Sequence, residues 1–375
     1  MRIAFIGQKG IAIGDQAGGI EQHVLALSRE LAARGHEVTV YARHRYRASR
    51  AEVPRGVRVR YIQTIYLKHL ETILYSFFAT LDALFRRFDI IHYHGVGPAT
   101  LAWIPRLWKP HARVVATFHS QDRYHQKWGF LARRYLHFGE WAACHFPHAT
   151  IAVSHVIQVY VRRTYRRQIV YIPNGARIEQ SSGQETLELY GLQAGKYLLN
   201  VSRLVPHKGQ HYLIEAFQRL KNTGRGAGMK LAIVGAAVYT QKYEQELKDQ
   251  AAGSADIVFL GFQQGEALRQ LYAHAFLYAQ PSESEGLSVS VLEAMSFGIP
   301  PIVSDIPENL EVIHRAGFTF RNKDVEHLSQ VLGELMAHPD IVEAKRERVR
   351  EVVETKFAWP VIAEHTEGVY RSVRH

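Results

Sequence analysis

The sequence predicts an α/β protein made of two Rossmann-like domains, each containing a parallel sheet. The chain has 375 residues. One ordinary hydrophobic core does not accommodate that many, so we expect two domains of about 170–190 residues. Short apolar runs alternate with amphipathic segments from one end of the chain to the other, which is the pattern of parallel α/β folds. A polar stretch at 179–185 separates two series of such runs and is the expected linker.

Each series of apolar runs is predicted to form one sheet. The runs have the length and composition of buried strands and lie at 3–6, 38–41, 90–93, 114–117, 150–153, 197–201, 231–235, 257–261, 275–279 and 301–304. Several end near a glycine, serine or histidine, and open parallel sheets bind ligands at the carboxyl ends of their strands. We therefore predict an N-terminal domain at 1–177 and a C-terminal domain at 178–356.

The charge of the chain is unevenly distributed. Residues 1–178 contain 26 Lys and Arg against 10 Asp and Glu, whereas the remainder contains 20 against 25. A basic first half indicates an anionic partner, such as a lipid surface, a pyrophosphate-bearing acceptor or nucleic acid. A generic basic surface is the alternative.

The chain shows no feature of a secreted or membrane-spanning protein. A single cysteine, Cys144, excludes an intrachain disulfide framework and makes a reducing cytosol the expected compartment. No signal peptide is expected at the amino terminus. The longest apolar stretch, 72–85, contains Asp82 and is too short to cross ~30 Å of hydrocarbon. Together with the arginine-rich stretch 43–60, it suggests a basic rim beside an apolar surface that could dock on a membrane.

Two acids, Glu285 and Glu293, lie in the most informative segment, residues 282–295. Turn residues at 281–286 follow the predicted strand 275–279, and the next apolar residues recur at helical spacing. At ~1.5 Å rise per residue the acids are at most ~12 Å apart along the helix axis. That matches the separation of a sugar and a ribose joined by a diphosphate, so the segment is predicted to form the floor of a nucleotide-sugar site. A helix N-terminal charge and a solvated helix face are the alternative.

The start of this helix is a predicted diphosphate site. The first turn of a helix has unpaired N–H groups and the positive end of the dipole, and a glycine lets a ligand approach the backbone. We expect the N–H groups of Gly286, Leu287 and Ser288 to face the diphosphate. Arg203 and Lys208, on the loop after a predicted strand, could clamp it from two sides. Solvated surface cations are the alternative for this pair.

A second glycine loop precedes the first helix. Gly18 and Gly19 can present backbone N–H groups to a phosphate or a sugar, although an ordinary turn would also explain them. The loop lacks the G-x-G-x-x-G spacing of a dinucleotide site, so a dinucleotide cofactor is disfavoured.

His119 stands at the end of the predicted strand 114–117 and could hydrogen-bond a sugar or an acceptor. The alternative is a structural histidine, since the chain contains 21 of them. Asp122, Arg123 and Lys127 follow in a segment that mixes charged and aromatic residues, and we predict that they contact the acceptor.

These motifs together resemble those of the family 4 retaining glycosyltransferases, often called glycosyl transferases group 1, which adopt the GT-B fold. The two acids match the family's E-x7-E motif, and Arg203 and Lys208 match its R-x4-K context. The resemblance spans nearly the whole chain. It implies two Rossmann-like domains whose parallel sheets face an interdomain cleft, and a C-terminal helix at 357–375 that packs back on the first domain.

The same resemblance implies a role for the candidate residues. Glu285 would contact hydroxyl groups of the transferred sugar and orient it, and Glu293 would contact the ribose. The cations and the helix start described above would bind the diphosphate, and the base would lie near Phe262. His119 would lie beside the anomeric centre.

The implied reaction moves a hexose from a nucleotide-diphosphate sugar to a hydroxyl of a glycan or polyprenyl-linked acceptor, with retention, in cell-surface polysaccharide synthesis. No D-x-D sequence occurs, so we expect neither a metal nor another cofactor, with cations and the helix start neutralising the leaving group. The expected place of action is the cytoplasm, peripheral on the inner face of the plasma membrane, without a nucleic-acid partner. Two alternatives are a GT-B-fold UDP-sugar 2-epimerase and a catalytically silent module that binds nucleotide sugars or nucleic acid.

Overall fold

The chain forms two compact units. The structure is a computed structural model that describes residues 1–11, 18–47, 53–64, 71–120, 130–237 and 240–374, with the backbone alone at 130–132. Unit 1 consists of Met1–Gly175 and Trp359–His375, and unit 2 of Ala176–Ala358. In the described ranges no helix has both the length and the apolar character that crossing a bilayer would require.

Unit 1 contains a seven-stranded sheet in the order β3-β2-β1-β4-β5-β6-β7, and all neighbouring strands are parallel. Its strands are β1 (Arg2–Ile6), β2 (Glu37–Arg43), β3 (Val57–Ile62), β4 (Ile90–His94), β5 (Arg113–Phe118), β6 (Ala149–Ala152) and β7 (Val170–Tyr171). Its helices are α1 (Gly19–Ala33), α2 (Glu71–Leu84), α3 (Val96–Ala99), α4 (Trp103–Trp108), α5 (Phe130–His145), α6 (His155–Tyr165) and the terminal α16 (Trp359–Ser372).

The terminal helix completes the core of unit 1. Ile362 and Tyr370 of α16 are fully buried in the same apolar cluster as Phe5 of β1 and Leu27 of α1. At about 25 cal/mol per Å² of apolar surface removed from water, such side chains each contribute about 1.5–3 kcal/mol to folding. Residues more than 300 positions apart in the sequence therefore share one core.

Unit 2 contains a six-stranded sheet in the order β10-β9-β8-β11-β12-β13, also parallel throughout. Its strands are β8 (Tyr197–Val201), β9 (Lys230–Val234), β10 (Ile257–Gly261), β11 (Leu277–Gln280), β12 (Pro301–Ser304) and β13 (Phe318–Phe320). Its helices are α7 (Glu185–Leu189), α8 (Gln210–Asn222), α9 (Gln241–Gln250), α10 (Gly265–Ala273), α11 (Val289–Ser296), α12 (Pro307–Ile313), α13 (Val325–Ala337), α14 (Pro339–Glu343) and α15 (Arg346–Val352).

Each sheet has a topological switch point, where the strand order reverses. In unit 1 it lies between β1 and β4, and in unit 2 between β8 and β11. Open parallel sheets bind ligands in the crevice beyond the carboxyl ends of the two strands at this point. The two sheets therefore offer one ligand crevice each, and the fold class predicted from the sequence, two Rossmann-like units with parallel sheets, is confirmed.

Three strands fall outside the predicted runs: β3, β7 and β13. All three are the outermost strands of their sheets. Edge strands pack on fewer neighbours, so they need less apolar sequence and tolerate charge. β3 accordingly carries Arg58 and Arg60, while β7 and β13 contain only two and three residues.

Candidate active site

Three candidate residues of unit 2, Arg203, Lys208 and Glu285, lie on two loops at its switch point. Arg203 and Lys208 follow β8, and Glu285 follows β11; the two strands are parallel neighbours. Gly209 brings the loops together, because its φ is +71° and a Cβ atom there would lie 2.0 Å from the carbonyl oxygen of Pro281. Only glycine fits this approach without displacing the backbone. The two loops thus form one site.

The Glu285 carboxylate is buried and is held through one of its two oxygens. Oε1 accepts hydrogen bonds from Lys208 Nζ at 2.5 Å, Ser282 Oγ at 2.6 Å and Gln280 Nε2 at 2.8 Å. Oε2 accepts none from the residues that the structure describes. Burial alone would raise the pKa of Glu285, but the charge of Lys208 and these hydrogen bonds outweigh it and hold the pKa below its ordinary value. Glu285 is therefore an ionised, oriented carboxylate with one oxygen available to a ligand.

Glu293 lies on α11, and its pKa is shifted in the opposite direction to that of Glu285. Its Oε2 accepts a hydrogen bond from the Tyr272 hydroxyl at 3.0 Å, and no described cation forms an ion pair with it. Burial raises the pKa of Glu293 to about 7, since the Tyr272 hydrogen bond only partly offsets it and the Glu179 carboxylate adds to it. A buried acid without a cation is costly to ionise, and such groups are concentrated at functional sites.

The backbone N–H groups that are predicted to bind the diphosphate are available to a ligand. The helix α11 begins at Val289, later than the sequence suggests, and Ser288 is its N-cap residue without a side-chain capping bond. The N–H groups of Gly286, Leu287 and Ser288 meet no acceptor within the described ranges. Such N–H groups at a helix start favour an anionic ligand.

Arg203 and Phe262 complete the predicted donor residues of unit 2. The guanidinium of Arg203 is exposed and bonds to no described residue. The carbonyl oxygen of the same residue accepts from Gln210 Nε2 at 2.9 Å and from the Val205 N–H at 3.0 Å. Phe262 is 43% exposed and follows β10, two strands away from β8. An exposed aromatic ring at the same edge of the sheet could stack on a nucleobase.

The glycine loop of unit 1 differs in part from the prediction. Residues 12–17 lie outside the described ranges, and Gly18 is the N-cap of α1. Its N–H donates to Glu21 Oε2 at 2.8 Å, while Glu21 Oε1 accepts from the N–H of Lys9 at 3.0 Å. The N–H of Gly18 is therefore already used, because an acid at the third helical position reaches back to the cap. The N–H of Gly19 has no acceptor in the described part of the chain.

His119 is buried in a cluster of three histidines at the carboxyl edge of the unit 1 sheet. His94 ends β4, His119 follows β5 and His23 lies on α1, and one ring nitrogen of each lies within 4.8 Å of the others. His94 Nδ1 and His119 Nε2 are 3.3 Å apart, and His23 Nδ1 is 2.9 Å from Asn174 Oδ1. Burial lowers the pKa of all three rings, that of His23 to about 4. The rings are therefore neutral at neutral pH, and each offers one donor and one acceptor.

The cluster is the only group of three or more metal-ligating side chains that the described residues form. His94 Nε2 is buried and has no partner among them. An imidazole-only set suits a transition metal ion such as Zn²⁺ and not Mg²⁺, which takes oxygen ligands. Nothing in this set therefore favours the magnesium that would bridge a diphosphate.

Sequence reasoning identified His119 but missed His23, His94 and Asn174. The sequence did contain a signal for His94, because His92 and His94 stand two positions apart at the end of a predicted strand. His23 and Asn174 are 151 positions apart, and only the fold brings them together. The predicted acceptor contacts Asp122, Arg123 and Lys127 lie in 121–129, outside the described residues.

Two Rossmann-like units with parallel sheets occur in the GT-B fold, and comparison with solved structures supports this fold. Anabaena Alr3699/HepE in complex with UDP and glucose has a TM-score of 0.80 with 19% identity, over 99% of this chain and 100% of that chain. The sucrose-phosphate synthase of Thermosynechococcus elongatus has a TM-score of 0.83 with 22% identity, over 99% and 98%. At these identities the likeness establishes the fold alone.

The family follows from the sequence comparisons. The family model for glycosyl transferases group 1 matches residues 191–353, and the model for glycosyltransferase family 4 matches 17–180. The chain belongs to the group 1, family 4 glycosyltransferases, which confirms the family predicted from its motifs. Among its relatives is the phosphatidylinositol N-acetylglucosaminyltransferase gpi3 subunit of Schizosaccharomyces pombe, 26% identical over 96% of this chain and 78% of that protein.

Proposed function

We propose that the protein transfers a hexose from a nucleoside-diphosphate sugar to a hydroxyl group of a glycan or lipid-linked acceptor, with retention of the anomeric configuration. Family membership supports sugar transfer, and Anabaena HepE, which shares the fold, binds UDP and glucose. The observation that carries the proposal is Glu285, a buried and ionised carboxylate with three donors on Oε1 and an open Oε2. Such a group recognises a hydroxyl of the sugar.

The loops after β8 and β11 hold the donor in this proposal. Arg203 and the N–H groups at 286–288 bind the diphosphate, because they are the cationic and backbone donors that lack partners within the described ranges. Lys208 has a double role, since its ammonium already orients Glu285 at 2.5 Å and can reach a phosphate oxygen beside it. Glu293 accepts from the ribose.

The chemistry then needs no nucleophile from the protein. The bond between the anomeric carbon and the diphosphate oxygen breaks, the acceptor oxygen bonds to that carbon on the same face, and the departing phosphate oxygen takes the acceptor's proton. Charge develops on the diphosphate, where fixed donors stabilise it without reorganisation. We propose that these donors act in place of a divalent metal. His119 keeps its predicted role as a hydrogen-bonding partner of the sugar or the acceptor.

The proposed acceptor is a lipid-linked glycan of a cell-surface polysaccharide. The S. pombe relative, whose name specifies phosphatidylinositol as acceptor, supports a lipid-linked acceptor, as does the excess of Lys and Arg in residues 1–178. The corresponding place of action is the cytoplasmic face of the plasma membrane.

The test is a transfer assay with the purified full-length chain. UDP-, GDP-, ADP- and dTDP-sugars are first ranked by the rise in unfolding temperature that each produces, because a ligand that binds only the folded state stabilises it. The best donor is then incubated with lipid-linked glycans, and the anomeric configuration of the product is read by NMR. Glu285→Gln is expected to lower kcat by about 10²–10³ while nucleoside diphosphate binding stays within a few-fold.

Each part of the proposed function would be refuted by a different experimental result. A product of inverted configuration would refute retention, and a strict requirement for Mg²⁺ or Mn²⁺ would refute metal independence. Turnover of the donor to its 2-epimer without an acceptor would replace transfer by epimerisation. Near-normal rates in Glu285→Gln would remove that residue from the site.

A further inference from the structure

The histidine cluster of unit 1, formed by His23, His94 and His119, has the ligand spacing of a metal site. One ring nitrogen of each residue lies within 4.8 Å of the others, and the facing nitrogens of His94 and His119 are 3.3 Å apart. Zinc–nitrogen bonds of ~2.0–2.1 Å at the tetrahedral angle place two ligand nitrogens ~3.3–3.4 Å apart. One edge of a tetrahedral site is therefore present, and the other edges need to shorten by at most ~1.5 Å to match it.

Hydrogen bonding alone leaves His94 incompletely satisfied. Its contact with His119 is longer than the ~3.0 Å of a typical N–H hydrogen bond. Its other nitrogen, Nε2, is buried and meets no partner in the described ranges, so this atom is unsatisfied whether or not it carries the proton. Buried polar atoms without a partner are rare, and they mark catalytic groups or ion sites. A purely structural role does not account for this ring.

His23 is oriented in the way that metal-binding histidines usually are. Because Asn174 Oδ1 can only accept, His23 Nδ1, at 2.9 Å, carries the proton and donates it. The Nε2 atom of the same ring therefore keeps its lone pair. Histidine ligands commonly donate their second ring N–H to a carbonyl or carboxylate oxygen, which fixes the tautomer and the orientation of the ring. Asn174 is placed to serve as this outer partner.

Packing holds two of the rings in place. The ring of His94 stacks on His92 with centroids 4.3 Å apart, and Phe5 meets it edge-on at 4.8 Å. The ring of His23 packs edge-on against Trp359 at 5.3 Å. Ligands that the fold already holds in position lose little freedom when an ion binds. The cluster is thus organised before any ligand arrives.

The three rings belong to different elements of unit 1. His23 lies on α1, His94 ends β4 and His119 follows β5, so an ion bound by all three would tie the helix to the sheet. Three imidazoles with the fourth position open are one of the ligand sets of protein-bound zinc. Imidazole ligands bind in their uncharged form, so the charge of the ion would favour hydroxide or another small anion as the fourth ligand.

We propose that His23, His94 and His119 bind one transition metal ion of the Zn²⁺ type, with the fourth position open to water or a small anion. The proposed diphosphate groups belong to unit 2, and Mg²⁺ takes oxygen ligands, so this ion is not a metal that bridges the diphosphate. The inference goes beyond sugar transfer, which does not require the ion. Bound zinc would instead commit His119 to the metal and slow transfer, a consequence that rests on the proposed function.

The experiment titrates the full-length chain, without a histidine tag and freed of metal by a chelator, with Zn²⁺ against a chromophoric chelator of known affinity. We expect one Zn²⁺ per chain and no binding of Mg²⁺. Removal of an outer partner typically weakens metal binding 10–100-fold, so we expect about tenfold in Asn174→Leu and more than about 100-fold in His94→Gln.

His92→Gln is the matched control. This neighbouring histidine is equally buried, but its two ring nitrogens are already used by the Tyr370 hydroxyl and by Thr117 Oγ1, each at 2.7 Å. The variant should bind zinc within a few-fold of the unchanged chain. The unfolding temperature of each metal-free variant shows that it is folded.

A second measurement needs no variant. X-ray absorption at the zinc edge of the loaded, unchanged chain should show three imidazole ligands at ~2.0–2.1 Å. Fewer than three imidazoles, less than one Zn²⁺ per chain, or unchanged affinity in His94→Gln would overturn the proposal, as would an equal loss in His92→Gln and His94→Gln. Full sugar transfer by a zinc-loaded chain that passes these tests would refute the proposed role of His119 and leave the metal site standing.

Discussion

Replacing Glu293 by glutamine should stabilise unit 2 at alkaline pH. Burial raises the pKa of this acid from 4.5 to about 7 in the folded protein. Between these two values the folded state holds a proton that the unfolded state releases, so stability falls as the pH rises through this window. At ~1.4 kcal/mol per pKa unit, the full cost above pH 7 is ~3 kcal/mol. Glutamine never ionises and still offers an oxygen to the Tyr272 hydroxyl, so it avoids this cost.

The assay is urea unfolding of both proteins at about pH 4.5 and pH 8. We expect little difference in the free energy of unfolding at the lower pH and a gain of ~3 kcal/mol for the variant at the higher pH. Glu283→Gln is the control, because Lys323 and Tyr212 outweigh burial and lower the pKa of Glu283, so this change should destabilise at pH 8. An equal effect of Glu293→Gln at both pH values would refute the reasoning. Calorimetric titration should at the same time show weaker nucleoside diphosphate binding by the variant.

Three further changes test the geometry. Gly209→Ala should lower the free energy of unfolding by at least about 3 kcal/mol, as measured by urea unfolding. The new Cβ would lie 2.0 Å from the Pro281 carbonyl oxygen, and alanine would have to adopt the left-handed φ of Gly209. Lys208→Met leaves the Glu285 carboxylate buried without its cation, so we expect a loss of ~3 kcal/mol at neutral pH that shrinks as the pH falls and Glu285 becomes protonated. His23→Gln should reduce the fall in stability between pH 6.5 and about pH 4, because burial lowers the pKa of His23 to about 4 and only the unfolded state binds that proton in this window. The buried rings of His94 and His119 keep their share of the fall.

Matched positions serve as controls for two of these changes. Gly224 has φ +73°, and a Cβ atom there would have no neighbouring atom within 4 Å, so Gly224→Ala should cost only the ~1 kcal/mol of a left-handed residue. Lys323 pairs with Glu283 at a more exposed place, and Lys323→Met should cost less than about 1 kcal/mol. If the variants in each pair lose the same stability, the burial and contact arguments for Gly209 and Lys208 are wrong.

The sequence predicts the sheets well where strands are central and apolar. Every residue of β4 and β11 is buried, because neighbouring strands and helices cover both faces of these strands. β3 escapes prediction because, at an edge, Arg58 remains exposed and Arg60 is used in an ion pair with Asp82. The local pattern of apolar residues therefore predicts strands that are buried. It fails for strands that are stabilised by tertiary contacts such as ion pairs.

The sequence predicts which residues form the candidate site, but it does not predict the contacts between them. Motif spacing identifies Glu285 and Lys208, 77 positions apart, as separate binding groups, whereas the structure joins them in one ion pair. No local pattern indicates that pair, because it arises from the adjacency of β8 and β11.

If Glu285 binds a sugar hydroxyl as proposed, its one-sided hydrogen bonding has a consequence for selectivity among sugars. Because Lys208, Ser282 and Gln280 all occupy Oε1, recognition falls to a single atom, Oε2, in a position only 8% exposed. A deoxy analogue without the matching hydroxyl would leave that oxygen desolvated and unbonded, and sites of this kind reject such analogues by about 10⁴–10⁵. A fluorinated analogue, which restores volume but donates no proton, would be rejected as well. In the proposed complex, discrimination at this carbon would therefore depend on a proton donor and not on the size of the substituent.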